Sequence, residues 1–211
     1  MHGDRRGGTR SALGLLAGAC AAGLGLGALT AYGQEWLPPE LGSLANSSGS
    51  WCLVAFGIAL LAGGRRLAAL CGALTLGALL AGYVVAAGIR GDVSSSSLIV
   101  FWGAAAILVG PVVGLAAHAV RYGPATLAAL GSGAMSGLLI GEGIYGLVYI
   151  VDTTYPPYWW GELLVGLGLL GWIARQRFPR LRPIAVAAGF GLVVAAAFVA
   201  VYSQDLIALL G

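Results

Sequence analysis

The sequence predicts an all-α, polytopic transmembrane helical bundle with seven spans and a cytoplasmic N-terminus. Three observations predict it. Of the 211 residues, 59% are hydrophobic and only 9% charged, against about 25% charged in an ordinary soluble domain. Apolar runs near the ~20 residues needed to cross the hydrocarbon core recur along the whole chain. All eleven basic residues are arginine, and ten of them fall on alternate loops. With a mean hydropathy of +0.90, the chain is not a disordered segment, a nucleic-acid-binding module or a water-soluble enzyme.

The expected spans are Ser11–Tyr32, Leu44–Gly63, Leu67–Ala87, Ser97–Val120, Pro124–Val151, Trp159–Ala174 and Pro183–Tyr202. They make one transmembrane domain, residues 11–203, between a basic tail at 1–10 and a short outer tail at 204–211. In the first span the apolar stretch runs well past Cys20, as in an uncleaved helix rather than a signal segment. The second begins among Asn46, Ser47, Ser48 and Ser50, and the sixth has only 16 residues. Either reads as a tilted, broken or re-entrant segment, and a six-span bundle is the competing reading.

Charge sets the orientation. Arg5, Arg6, Arg10, Arg65, Arg66, Arg121, Arg175, Arg177, Arg180 and Arg182 lie on one side, which the positive-inside rule makes cytoplasmic. Glu35, Glu40, Asp92, Asp152, Glu162 and Asp205 are expected on the other, with Arg90 alone among them. The net charge of +3 therefore reports topology and not nucleic-acid binding.

The 36 glycines suit helices that approach closely, because lipid tails give apolar side chains no reason to associate. Small residues four apart recur at Gly14/Gly18, Gly23/Gly27, Gly110/Gly114 and Gly133/Gly137/Gly141. Leu67-Ala68-Ala69-Leu70 returns sixty residues later as Leu127-Ala128-Ala129-Leu130, the kind of internal repeat found in transporter folds. Cys20, Cys52 and Cys71 all sit in apolar runs, and His2 and His118 are too few for a metal cluster. No metal site, cofactor or nucleotide-binding motif is expected.

The candidate site centres on Glu142, read as the only charged residue well inside a span. An ionisable group there costs on the order of 2.5–3.5 kcal/mol on insertion scales and faces a cavity or a partner. Tyr145 and Tyr149 share its helical face, and Asp152 follows at the outer end. Asn46 offers a donor and an acceptor at a cavity mouth. Trp51, Tyr83 and Trp102 lie toward the same side, Arg90 is positioned to pair Asp92, Glu142 or an anion, and Trp159 and Trp160 read as an interfacial belt. Apolar walls with a few polar groups suit a small organic molecule.

The segments Leu44–Trp51, Phe101-Trp102 with Gly110-Pro111, and Glu142-Gly143 before Tyr145 resemble an uncharacterised family of small multi-spanning bacterial membrane proteins. Ala62–Leu70, with Gly14, Gly18 and Ala22, is loosely similar to the substrate-binding subunits of energy-coupling-factor vitamin transporters. That resemblance implies an outward-facing pocket and docking to a membrane partner. The seventh span departs from their usual six.

The expected function is a small-molecule binding or transport subunit, with the question of enzymatic activity left open. Its expected partners are the lipid bilayer, a small organic ligand, and a membrane protein or a second copy of the chain, with no nucleic acid. One alternative is an accessory protein working through its glycine faces. Another is an intramembrane enzyme using Glu142 as general acid on a lipid or isoprenoid. Abundant glycine and absent lysine point to a GC-rich genome, and so to a bacterial plasma membrane.

Overall fold

A computed structural model describes residues 3–92 and 95–203, with the side chains of residues 3–10 left aside. The expected outer tail at 204–211 lies outside the described residues. The described residues are helical, with no strand among them. The helices are α1 (Gly3–Trp36), α2 (Pro39–Gly42), α3 (Ser48–Ala59), α4 (Arg65–Ile89), α5 (Ser96–Tyr122), α6 (Ala125–Tyr149), α7 (Pro156–Arg177) and α8 (Leu181–Ser203), with short 3-10 turns at Ser43–Asn46 and Val151–Thr153.

Five of these are long and apolar enough to cross a membrane: α1 from Ser11, α4, α5, α6 and α8. The two segments with the weakest sequence signal are the other two. The 12 residues of α3 rise only about 18 Å, short of the ~30 Å hydrocarbon core. The cause is local. Ser47 is extended (φ −80°, ψ 122°) and its hydroxyl accepts the Ser50 amide at 3.0 Å, an N-cap that starts a new helix inside the expected second span. The 22 residues of α7 are long enough, at about 33 Å, but carry Glu162 near the start and Arg175 and Arg177 in the last turn.

α6 is the central post. Of its apolar stretch 67% is buried, against 17% of that in α1 and in α8. The glycine spacings explain much of the packing. A Cβ on Gly23 or Gly27 would run into the α4 backbone at Thr75 or Leu79, and one on Gly82 into Leu24 of α1. Gly110 and Gly114 of α5 meet Ala73 and Ala68 of α4, and Gly133, Gly137 and Gly141 of α6 meet Ala187, Gly191 and Ala195 of α8. Gly14 and Gly18 face open space. Leu13, Leu29, Ile107, Leu108, Leu192 and Val193 are exposed, which in a membrane is contact with lipid.

The sixty-residue offset extends to whole helices. α4 and α6 begin and end sixty residues apart, and α5 and α7 begin sixty apart. Their surroundings differ, since α4 packs against α1 and α5 while α6 packs against α7 and α8.

The loops sort to two ends. At one, Arg121 donates to the Leu60 carbonyl, and Arg177 donates to the carbonyls of Arg121 (3.1 Å) and Gly123 (2.8 Å). At the other, Arg90 donates to the Ala31 carbonyl and pairs with Glu35 (3.2 Å) and Asp92 (3.1 Å), tying α1 to the loop after α4.

Candidate functional site

The broken second segment organises the site. Because α3 starts inside the bundle, its first amides point into protein rather than water. Free amides at a helix N-terminus attract negative charge, and the chain supplies it from Glu142 on α6. Glu142 Oε1 accepts the Ser48 amide at 2.8 Å, and Oε2 accepts the Gly49 amide at 2.5 Å and the Ser47 hydroxyl at 3.1 Å. The residue is 4% exposed.

A second carboxyl stands beside it. Glu162 of α7 is 7% exposed, and its Oε1 also lies 3.1 Å from Ser47 Oγ. The two carboxyl groups thus share the Ser47 hydroxyl as a common neighbour. Glu162 Oε2 is buried with no serine, tyrosine or amide donor. Among the described residues the ion pairs all belong to Arg90, so neither buried glutamate has a basic partner. Ser48 continues the polar set, its hydroxyl 2.7 Å from that of Tyr202 on α8.

The other face of Ser47 and Ser48 lines a cavity of about 700 Å³ at the Arg90 end. Its aromatic walls are Trp51, Tyr83 and Trp102. Its polar rim is a chain of bonds: Tyr83 donates to Gln34 (3.2 Å), Gln34 to Asn46 (2.6 Å), and Asn46 to the Gly42 carbonyl (3.3 Å). A smaller, apolar cavity of about 220 Å³ adjoins it, sharing Ser48, Trp51, Leu80 and Trp102 and reaching Cys52 and Tyr202.

The expected site residues are therefore only partly gathered. Asn46, Trp51, Tyr83 and Trp102 line the large cavity, and Glu142 sits behind its Ser47–Ser48 wall. Tyr145 meets the ring of Tyr202, which lines the second cavity, edge-on at 5.5 Å. Tyr149 stacks on Tyr145 and is 53% exposed, and Asp152 is exposed in the 3-10 turn. Arg90 stays outside the cavity with Glu35 and Asp92, although Asp92 itself reaches the lining. Trp159, expected in an interfacial belt, is buried instead over Gly146, with its indole N–H on Thr154 at 2.8 Å.

Glu162 was the residue missed. The sequence places it among the outer charges, three residues into an expected span. That position was the available signal, since Trp159, Glu162 and Gly166 share one helical face and all three are buried.

These features define a class: an all-helical protein with five helices long and apolar enough to cross a membrane and a carboxyl pair buried behind a cavity. The chain belongs to the family of unknown function DUF6518, whose family model matches residues 6–207. No curated protein and no solved structure matches it.

Proposed function

We propose that this protein is a binding or transport subunit for a small organic molecule, embedded in a bacterial plasma membrane with seven spans. The positive-inside rule puts the Arg121–Arg177 end in the cytoplasm and opens the cavity outward. The observation that carries the reading is the cavity of about 700 Å³ where Trp51, Tyr83 and Trp102 meet Asn46 and Ser48. Its size and its few convergent polar groups fit an organic molecule. A short helix whose N-terminus ends at a buried polar site is the type of element that lets transporters bind near mid-membrane.

A second reading is supported by α1, where Gly14 and Gly18 face open space. Such a face suits a partner helix and an accessory role. Native mass spectrometry of the gently solubilised full chain separates the two. A discrete small-molecule adduct in wild type that is lost in Trp102→Ala supports the binding subunit. Bare chain in both samples, or chain bound to another polypeptide, removes that reading in favour of the accessory one.

A further inference from the structure

Ser47 has one hydroxyl hydrogen and two carboxyl neighbours. Its oxygen lies 3.1 Å from Glu142 Oε2 and 3.1 Å from Glu162 Oε1, and it also accepts the Ser50 amide. If both glutamates were ionised, one of these contacts would hold no hydrogen, two negative charges would adjoin with no basic partner among the described residues, and Glu162 Oε2 would remain buried without a donor. One added proton supplies the missing hydrogen, removes one of the two charges, and leaves at Oε2 a neutral carbonyl oxygen in place of an anionic one. Placed on Glu162, it lets Glu162 donate to Ser47 Oγ while Ser47 donates to Glu142. Glu142 is the better anion, because it alone receives the two amides at the start of α3.

We propose that Glu142, Glu162 and Ser47 form a proton-binding site holding one exchangeable proton on Glu162, with Ser47 as relay between the carboxyls. In the relay, the Glu162 proton passes to Ser47 Oγ as the Ser47 hydrogen passes to Glu142. The serine is unchanged and the negative charge moves from Glu142 to Glu162. That transfer weakens the carboxylate's hold on the Ser48 and Gly49 amides. Both Ser47 and Ser48 line the cavity, so the proton's position and the cavity wall are linked. The titratable groups facing the pair are Cys52 of α3, Tyr158 of α7 and Tyr202 of α8, with Tyr145 of α6 behind Tyr202.

The site deepens the binding reading, but its test needs no ligand. The full chain in lipid vesicles is examined by infrared spectroscopy near neutral pH, where an exposed carboxyl absorbs as carboxylate. A protonated carboxyl band that moves in deuterated water is expected in wild type. It is expected to vanish in Glu162→Gln, to persist at a shifted position in Glu142→Gln, and to shift in Ser47→Ala. Absence of the band in wild type overturns the site. A band lost only in Glu142→Gln overturns the placement of the proton, and one unmoved in Ser47→Ala overturns the relay. The wild-type spectrum and Ser47→Ala keep the test decisive where a glutamine variant fails to fold. A band in wild type without any small-molecule adduct would leave the proton site standing while the binding reading falls.

Discussion

The Gly49 amide donates a 2.5 Å hydrogen bond to the carboxylate of Glu142. These residues are far apart in the chain and belong to different helices, α3 and α6. The contact closes the buried positive end of a helix with a negative charge, an arrangement worth up to about 2 kcal/mol. It also leaves no room at residue 49. A Cβ there would collide with Glu162 Oε1 and lie 2.5 Å from Glu142 Oε2 and 2.9 Å from Leu139 Cδ2.

Gly49→Ala is therefore expected to destabilise the protein by about 1–3 kcal/mol, the usual cost of overpacking. Gly57→Ala, on the same helix but with nothing within 4 Å, is expected to be neutral or slightly stabilising, because alanine is the better helix former. Thermal unfolding of the two variants in one detergent checks this. Equal midpoints would mean that the carboxyl pair does not crowd the start of α3.

A second contrast lies on α1. A Cβ on Gly27 would overlap the Leu79 carbonyl of α4, whereas one on Gly14 meets nothing within 4 Å. Gly27→Ala must push the helices apart and forfeit close contact along their shared face. It is expected to lower the unfolding temperature clearly, and Gly14→Ala to leave it unchanged. A fall for Gly14→Ala in the solubilised protein would instead indicate that the open face is covered, with a second copy the first partner to look for by cross-linking.

Much of this fold was legible because composition and span length are coarse properties that the bilayer enforces. The glycine spacings at Gly23/Gly27, Gly110/Gly114 and Gly133/Gly137/Gly141 marked real close approaches. Gly14/Gly18 had the same spacing and no contact within the chain, since spacing identifies a face and not what covers it. The site was harder to read. Helical periodicity joined Tyr145 and Tyr149 to Glu142, but its donors come from the start of α3, and Glu162 of α7 meets it through Ser47. Those contacts depend on how three helices converge, which no local pattern encodes. The polar run at Asn46–Ser50 did mark a break. The break's purpose, presenting amides to Glu142, appears only in three dimensions.

The orientation and the crossing of α7 can be tested together with two single cysteines. Asp152 precedes α7 and Arg175 lies in its last turn, and both are exposed. The native cysteines give little background, since Cys52 and Cys71 are buried and Cys20 half-buried in an apolar helix. With the cavity end outside, Asp152→Cys is expected to react with a membrane-impermeant maleimide in intact cells. Arg175→Cys is expected to react only after permeabilisation. The opposite pattern would put the arginine end outside, against the positive-inside rule, and turn the cavity toward the cytoplasm. Labelling of both in intact cells would mean that α7 enters and leaves on one side. Glu162 would then sit on a re-entrant helix, the seven-span arrangement would fall, and two short elements, α3 and α7, would bring the carboxyl pair together within the membrane.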